Sequence, residues 1–247
     1  MRNYNAGVGS TLTLAYNGER TTVDVYSLEG LGFLSNLWIK AAAQQRLMYE
    51  PTWLGRPVIQ FPTDIVAIQE LLWKLQPDIV VETGVAHGGS LVLSASILEL
   101  IGKGKVVGVD IDIRPHNRAA IDAHPLRHRI ELIEGSSVSA ETLSAVQKAI
   151  GSAKSVLVIL DSNHTESHVL QELELYSSLV SSGSYIVAHD GAQAWVWDIP
   201  NGKPEWKVDH PLGAIHKFLA RHPEFSIDLH WTRWGITSSP DGFLKRA

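Results

Sequence analysis

The sequence predicts an α/β protein: a doubly wound, mainly parallel sheet with helices on both faces, preceded by an N-terminal arm and helix. Short apolar runs rich in β-branched residues alternate with longer stretches of helical periodicity. Alternation of this kind is typical of parallel strands joined by crossover helices. The chain of 247 residues, 45% of them hydrophobic, is also long enough to bury a large core in one domain with appendages.

The composition excludes several kinds of site and partner. The chain has no cysteine, which removes disulfides, thiolate zinc sites, iron–sulfur clusters and cysteine nucleophiles. A net charge of −5 gives no electrostatic footprint for nucleic acid. The start lacks the apolar core of a signal peptide, and the most apolar runs, of about five residues, are too short to span a bilayer. We therefore expect a cytoplasmic protein with no nucleic-acid partner and no transmembrane segment.

Residues 1–62 are predicted to form an arm, a helix and an extended loop that contact the substrate or another subunit. Alternating stretches on either side of Asn17-Gly18 indicate a small hairpin. Apolar residues recur at helical spacing between Leu31 and Met48. The prolines and glycine of the next segment, Y-E-P-T-W-L-G-R-P-V-I-Q-F-P-T-D, forbid a continuous helix there.

Residues 63–247 are predicted to form the main domain. Its first helix begins at Thr63-Asp64 and stops at Pro77. The predicted strands are 78–82, 105–110, 129–135, 155–161 and 183–190, and the predicted helices between them are 89–101, 115–123, 138–150 and 165–180. A polar, tryptophan-rich loop, a helix near 212–221 and a strand-like pair complete the chain.

Ligands of doubly wound sheets bind at the carboxyl ends of the strands. The first strand ends in E-T-G-V-A-H-G-G-S, residues 82–90, whose glycines let backbone amides approach a ligand. The second ends in Asp110, which can accept hydrogen bonds from both hydroxyls of a ribose. Ser137, after the third, suits an adenine edge. A plain strand–helix connection and an ordinary turn are the alternatives for the first and third features. The combination indicates a nucleoside site.

Carboxylates also follow the fourth and fifth strands, at Asp161 and at His189-Asp190. Two carboxylates in a partly dry pocket repel each other, and a hard divalent cation such as Mg²⁺ relieves this. A helix cap and a surface salt bridge are the alternatives. His164 and His168 share a helical face with Asp161. We predict that His164 is the general base or a substrate contact and that His168 is structural.

These motifs in combination resemble one family. E-T-G-x-x-x-G-G-S, L-D-S-x-H and the terminal G-x-L-K-R are similar to the motifs of the cephalosporin hydroxylase-like (CmcI-type) family of S-adenosylmethionine-dependent methyltransferases. The resemblance covers roughly residues 45–247. It implies a Rossmann-like class I O-methyltransferase. The residues it implies for binding S-adenosylmethionine are Glu82, Gly84, Gly88, Ser90, Asp110 and Ser137.

The resemblance also implies a divalent metal, expected to be Mg²⁺, on Asp161, His189 and Asp190. The family usually carries Glu where this chain has His189. Histidine is a softer ligand, so Mg²⁺ would bind less tightly or a transition metal could be accepted. The implied reaction is methyl transfer to a hydroxyl, in which the protein aligns the reactants and removes a proton. Asp161 and His164 are the predicted catalytic residues, with His189 as the second choice of base.

The expected acceptor is a hydroxyl of a sugar, a glycan or a small natural product, beneath a lid formed by Trp195, Trp197 and Trp206. Packing of these rings against the sheet is the alternative. The surplus tryptophans and the helix near 33–48 also predict a homo-oligomer of unspecified size.

Two other functions remain open. One is a non-haem iron hydroxylase with ligands from His164, His168, His189 and Asp161. The glycine turn and Asp110 argue against it, because an iron oxygenase needs no nucleoside pocket. The other is a non-catalytic donor-binding or assembly protein, and the presence of all four strand-end acids argues against that.

Overall fold

The computed structural model describes residues 10–16 and 18–247. The N-terminal elements are β1 (Thr11–Tyr16), β2 (Glu19–Asp24), α1 (Leu28–Gln44), β3 (Thr52–Trp53) and β4 (Arg56–Pro57). Antiparallel pairing of β1 with β2 confirms the predicted hairpin, although Asn17 at its turn lies outside the described residues. The side chain of Ser27 caps α1 by accepting a hydrogen bond from the amide of Gly30. The end of the predicted helix is instead a separate 3₁₀ turn, Leu47–Tyr49.

The main domain follows the predicted alternation. Its elements are α2 (Pro62–Leu75), β5 (Ile79–Thr83), α3 (Gly89–Ile101), β6 (Lys105–Asp110), α4 (Pro115–Asp122), β7 (Ile130–Glu134), α5 (Ala140–Ile150), β8 (Val156–Leu160), α6 (Glu166–Tyr176), β9 (Tyr185–Ala188), α7 (Gln193–Val196), α8 (Pro211–Leu219), β10 (Phe225–Ile227) and β11 (Phe243–Arg246). Two differences from the prediction are that α6 ends earlier, at Tyr176, and that the tryptophan-rich loop contains the short helix α7.

The sheet has seven strands in the order β10-β11-β9-β8-β5-β6-β7. Strands β5 to β9 are parallel to their neighbours in this group, whereas β11 pairs antiparallel with β9 and with β10. The predicted doubly wound, mainly parallel sheet is therefore confirmed. The chain runs outward from β5 through β6 and β7, and then resumes at β8 on the other side of β5. This reversal opens a crevice above the carboxyl ends of β5 and β8.

The core lies on both faces of the sheet. One buried cluster joins the sheet to α2 and α3, with Leu71 and Leu98 fully covered. The other joins it to α6 and α8 through Leu173 and Phe218. Because helices cover both faces, every residue of β5 and β8 is buried, which explains their continuous apolar runs.

The N-terminal helix packs on the main domain. Ile39 and Ala42 of α1 share a small buried cluster with Phe61 and with Ala192 and Val196 around α7. Among the described residues, no helix is long and apolar enough to cross a membrane.

Candidate active site

The loop after β5 requires glycine at position 84. Gly84 has φ +92°, and a Cβ added there would lie 1.9 Å from the backbone oxygen of Asp161. Its backbone therefore crosses close over the end of β8. The next two amides, of Val85 and Ala86, donate to Asp110 Oδ2 at 2.8 and 3.2 Å. The carboxylate at the end of β6 thus holds the glycine loop in shape.

Glu82 is a buried carboxyl at the end of β5. It is 1% exposed, Ser90 Oγ donates to its Oε1, and its Oε2 has no hydrogen-bond partner in the part of the chain that the structure describes. Burial raises the pKa of Glu82 to about 7, and the hydrogen bond from Ser90 opposes part of this rise. A buried carboxylate with one unpaired oxygen is well suited to a cationic ligand group.

Asp110 and Ser137 already have protein partners. Asp110 Oδ1 accepts from the amide of Asp112 in addition to the two loop amides. A carboxylate offers about four acceptor positions, so one more donor can be accommodated. Ser137 is buried, with Oγ 3.1 Å from His168 Nε2 and its carbonyl accepting from the Tyr176 hydroxyl at 2.9 Å. Contacts of these residues with a ribose and an adenine remain predictions.

Three potential metal ligands meet at the carboxyl ends of β8 and β9. Asp161, His164 and Asp190 each offer one ligand atom, and these atoms lie within 4.8 Å of one another. His164 Nε2 is 3.2 Å from Asp190 Oδ2. Burial, followed by the negative charge of Asp190, raises the pKa of Asp161 well above its usual range. A cation bound here would relieve this penalty.

The structure places His189 outside this set, and its role as a ligand stays a prediction. Its ring is buried, with Nδ1 2.6 Å from Ser239 Oγ and Nε2 3.3 Å from Gln60 Nε2. Burial lowers the pKa of His189 to about 4, so the ring is neutral near pH 7. The amide of His189 donates to the Leu160 carbonyl, so this residue still continues the pairing of β9 with β8. Successive side chains at the end of a strand point to opposite faces, and His189 therefore points away from the face that Asp190 takes. His164 occupies the position in the set expected of His189.

His168 also lies apart from the set. Its Nε2 approaches Ser137 Oγ and Ser162 Oγ at 3.1 and 3.3 Å. This position is consistent with the structural role predicted for it. The set therefore contains one histidine and two carboxylates, and it lacks the second histidine that the iron hydroxylase alternative requires.

Two cavities meet at the ligand set. The smaller, of about 200 Å³, is lined by the glycine loop and by Ser90. The larger, of about 540 Å³, lies between α1, α7 and the segment that follows α7. The residues that line both cavities are Tyr49, Ile59, Gln60, His164 and Asp190. This arrangement provides two binding spaces on either side of one shared wall.

The larger cavity is mostly apolar, and it includes one of the three predicted lid tryptophans. Trp206 lines it. Trp195 packs in the cluster between α1 and α7, and the ring of Trp197 lies under Lys207 Nζ at 5.0 Å. Sequence reasoning missed Tyr49 and Gln60, since they fall in the proline-rich segment outside any strand end. The signal available was that this segment lies within the part of the chain, roughly residues 45–247, that resembles the family.

Comparison with known proteins identifies the family. Residues 45–247 match the family described as Rhamnosyl O-methyltransferase/CmcI. The chain belongs to this family. The rhamnosyl O-methyltransferase of Mycobacterium tuberculosis (strain ATCC 25618 / H37Rv) is 32% identical over 203 residues, which are 79% of this chain and 78% of that protein. Its counterpart in Mycobacterium leprae (strain TN) is 31% identical over 205 residues, covering 79% and 82%.

Solved structures show the same fold. A CmcI structure described as its Mg-SAM form superposes with a TM-score of 0.59 at 19% identity, covering 81% of this chain and 77% of CmcI. An O-methyltransferase from Bacillus cereus in complex with SAH gives 0.52 at 17% identity, covering 79% and 81%. The predicted fold and family are thus confirmed. The protein is an S-adenosylmethionine-dependent O-methyltransferase of the CmcI/rhamnosyl O-methyltransferase type, which removes the non-catalytic alternative.

Proposed function

We propose that this methyltransferase transfers the methyl group of S-adenosylmethionine to a hydroxyl of a sugar or glycan, with the help of a divalent cation. The observation that carries the proposal is that two cavities share His164 and Asp190, which lie beside Asp161 in one set of potential ligands. A donor in the smaller cavity and an acceptor in the larger one would have their reactive groups at the shared wall. The names of the mycobacterial relatives support a sugar as acceptor.

The donor fits the residues at the ends of β5 and β6. S-adenosylmethionine carries a positive α-ammonium and a positive sulfonium, and Glu82 has a buried oxygen without a partner. Gly84 and Gly88 have positive φ and leave no room for a Cβ, so the backbone of the loop passes close to its neighbours, and Ser90 lines the smaller cavity. Asp110 and Ser137 complete the proposed donor-binding residues. When bound, the donor supplies a methyl group already activated by its sulfonium.

Asp161 and Asp190 would hold the cation, because carboxylate oxygens are the ligands that Mg²⁺ prefers. When bound, such a cation supplies positive charge that lowers the pKa of the acceptor hydroxyl. His164 would take the proton from that hydroxyl. The carboxylate of Asp190, 3.2 Å from His164 Nε2, orients the imidazole and stabilises its protonated form. We choose Mg²⁺ over a transition metal since the two hard carboxylates dominate the set.

Methyl transfer to a simple glycoside tests the proposal. The purified protein would be given donor, Mg²⁺ and methyl hexopyranosides, including the α-L-rhamnoside, and the products would be analysed by mass spectrometry. We expect a mono-methylated sugar as product. Its formation should stop when EDTA is added and resume when Mg²⁺ is restored. Oxygen consumption with Fe²⁺ and no methylated product would contradict the proposal.

We assign the N-terminal part, residues 1–62, to acceptor binding and self-association. Ile39 and Ala43 of α1 line the larger cavity. Tyr26 and Leu28, just before and at the start of α1, are 73% and 88% exposed, which is unusual for large apolar side chains. A homo-oligomer that covers them would also support the hairpin, because isolated two-stranded hairpins are marginally stable. A cytoplasmic location fits the proposed reaction, because the donor S-adenosylmethionine is supplied in the cytoplasm.

A further inference from the structure

Two glutamine side chains that line the larger cavity each have a carbonyl oxygen without a hydrogen-bond partner among the described residues. Gln60 precedes α2 and is 5% exposed, and Gln193 is the first residue of α7. Both side chains line the cavity, and the Oε1 atom of each is buried and unpaired. A buried carbonyl oxygen without a donor is costly, and native proteins retain one mainly where a ligand or water satisfies it.

Contacts on the other side of the amide fix the orientation of Gln60. Its Nε2 lies 3.3 Å from His189 Nε2, and the opposite ring nitrogen is 2.6 Å from Ser239 Oγ. The Gln60 side chain also opposes the rise in the pKa of Asp161 on this side. With Nε2 facing these protein groups, Oε1 is the group left for a ligand, and it can only accept.

The rest of the cavity wall is mainly apolar. Ile39 and Val196 provide aliphatic surface and Phe61 and Trp206 aromatic surface, and the further polar residues that line it include Arg46, Tyr49, Asn201 and Ser238. A sugar ring suits such a space, because its C–H face packs on an aromatic ring while its hydroxyls need acceptors. The two carbonyls are acceptors of this kind.

We infer that Gln60 and Gln193 each accept a hydrogen bond from an acceptor hydroxyl other than the one that is methylated. The inference rests on the proposed function, and it narrows the substrate to polyhydroxylated rings with at least two further hydroxyl donors. Gln60 and Gln193 are then specificity-determining residues. His189 is a positioning residue that acts through Gln60.

Binding of single-deoxy sugars tests the inference without turnover. Methyl hexopyranosides are titrated by calorimetry into the full chain saturated with S-adenosylhomocysteine and Mg²⁺, and the tightest binder is compared with its single-deoxy analogues. We expect at least two analogues to bind about tenfold or more weakly, since a site built to bind a hydroxyl rejects a ligand that lacks it. Gln60→Met should abolish the penalty for one hydroxyl and Gln193→Met the penalty for a different one.

The ratio of the Kd of the deoxy sugar to the Kd of the parent sugar separates recognition of a hydroxyl from a general structural effect. A variant that merely loosens the cavity weakens both ligands equally and leaves the ratio unchanged. Ile199→Met is the matched control: Ile199 lines the same cavity and the change removes no polar group, so every deoxy penalty should persist. His189→Phe should reduce the penalty assigned to Gln60 and spare the one assigned to Gln193.

Four possible results distinguish failure of the inference from failure of the proposed function. Deoxy penalties that remain unchanged in both glutamine variants would overturn the inference, as would deoxy analogues that bind as tightly as the parent. Donor binding without binding of any hexopyranoside would also overturn it. Sugar binding with the expected penalties but without methyl transfer would support the inference and contradict the proposed function.

Discussion

Glu82 links the stability of the fold to donor binding through one buried carboxyl. Its pKa is raised from 4.5 to about 7 by burial, so between these values the native state binds more protons than the unfolded chain. The free energy of unfolding should therefore fall as pH rises from about 4.5 to about 7, by about 3 kcal/mol at most. Glu82→Gln should remove this loss, measured as urea unfolding at about pH 5 and about pH 8.

The same variant should affect donor binding in the opposite direction. Ionised Glu82 is the proposed partner of the donor ammonium, so wild-type affinity for S-adenosylhomocysteine should rise as pH increases through 7. Glu82→Gln should bind more weakly, by about tenfold or more, and without this rise. Equal affinity of the two proteins at pH 8 would show that Glu82 does not contact the donor.

The residues at the shared wall have separable roles. Asp161→Asn and Asp190→Asn should each abolish binding of Mn²⁺, used as a paramagnetic substitute for Mg²⁺, because each removes a charged oxygen ligand. His164→Gln should retain Mn²⁺ binding but lower kcat by about 10²-fold or more, as expected for loss of a general base. His189→Gln, which leaves the set intact, is the control for metal binding.

Loss of Mn²⁺ from His164→Gln to the same extent as from Asp161→Asn would contradict the assignment of His164 as base and make it a ligand. Loss of Mn²⁺ from His189→Gln but not from His164→Gln would instead support the ligand set that the resemblance implies, Asp161, His189 and Asp190. Electron paramagnetic resonance distinguishes these cases directly.

Among the elements, the loop between β5 and α3 is constrained by backbone geometry at Gly84. Gly84 and Gly102 have similar positive φ values, +92° and +84°, but a Cβ meets the Asp161 backbone in the first case and no atom within 4 Å in the second. Gly102→Ala should therefore cost about 1–2 kcal/mol, the left-handed penalty alone. Gly84→Ala should cost several kcal/mol and abolish binding of S-adenosylhomocysteine, both measured against wild type. Equal effects of the two variants would contradict this.

Helix α1 is joined to the wall of the larger cavity by a half-buried ion pair. Lys40 Nζ lies 2.6 Å from the carboxylate of Asp198, and Gln44 accepts hydrogen bonds from Asn201. Asp198→Asn should raise KM for the acceptor several-fold without changing the Kd of S-adenosylhomocysteine, since the pair borders only the acceptor side. Lys103→Ala, which breaks an exposed pair with Asp78, should change neither constant.

Elements whose apolar residues repeat with a clear period were predictable from sequence, and their observed bounds lie close to the predicted ones. Helix α3 has its predicted bounds, Gly89–Ile101, and β6 ends at Asp110 as expected. Strand ends locate Glu82, Asp110 and Asp161 because parallel strands deliver their carboxyl ends to one edge. Strand alternation separates the side chain of His189 from that of Asp190, but His164 lies before α6 in a loop, where no periodicity fixes the direction of its side chain. Gln60 and Tyr49 reach the site through tertiary packing of a segment whose sequence has no strong period.

At the scale of the whole molecule, both parts of the chain line both cavities. The smaller cavity lies between the strand ends of the main domain and the segment with Tyr49 and Gln60, and α1 with the α7 region closes the larger one. Exposed Leu28 and Leu31, 88% and 49% accessible, lie on the outer side of the N-terminal part. The double variant Leu28→Ser/Leu31→Ser should sediment as a monomer in sedimentation velocity, because association of the wild type buries both apolar side chains away from water. A wild-type monomer at high concentration would contradict this.

The most direct test of the whole account is a crystal structure of the protein with S-adenosylhomocysteine, Mn²⁺ and the tightest-binding methyl hexopyranoside. We predict an anomalous manganese peak between Asp161 and Asp190, the nucleoside product in the smaller cavity, and the sugar in the larger one with one hydroxyl near His164. A manganese peak at His189, or a nucleoside in the larger cavity, would contradict the account.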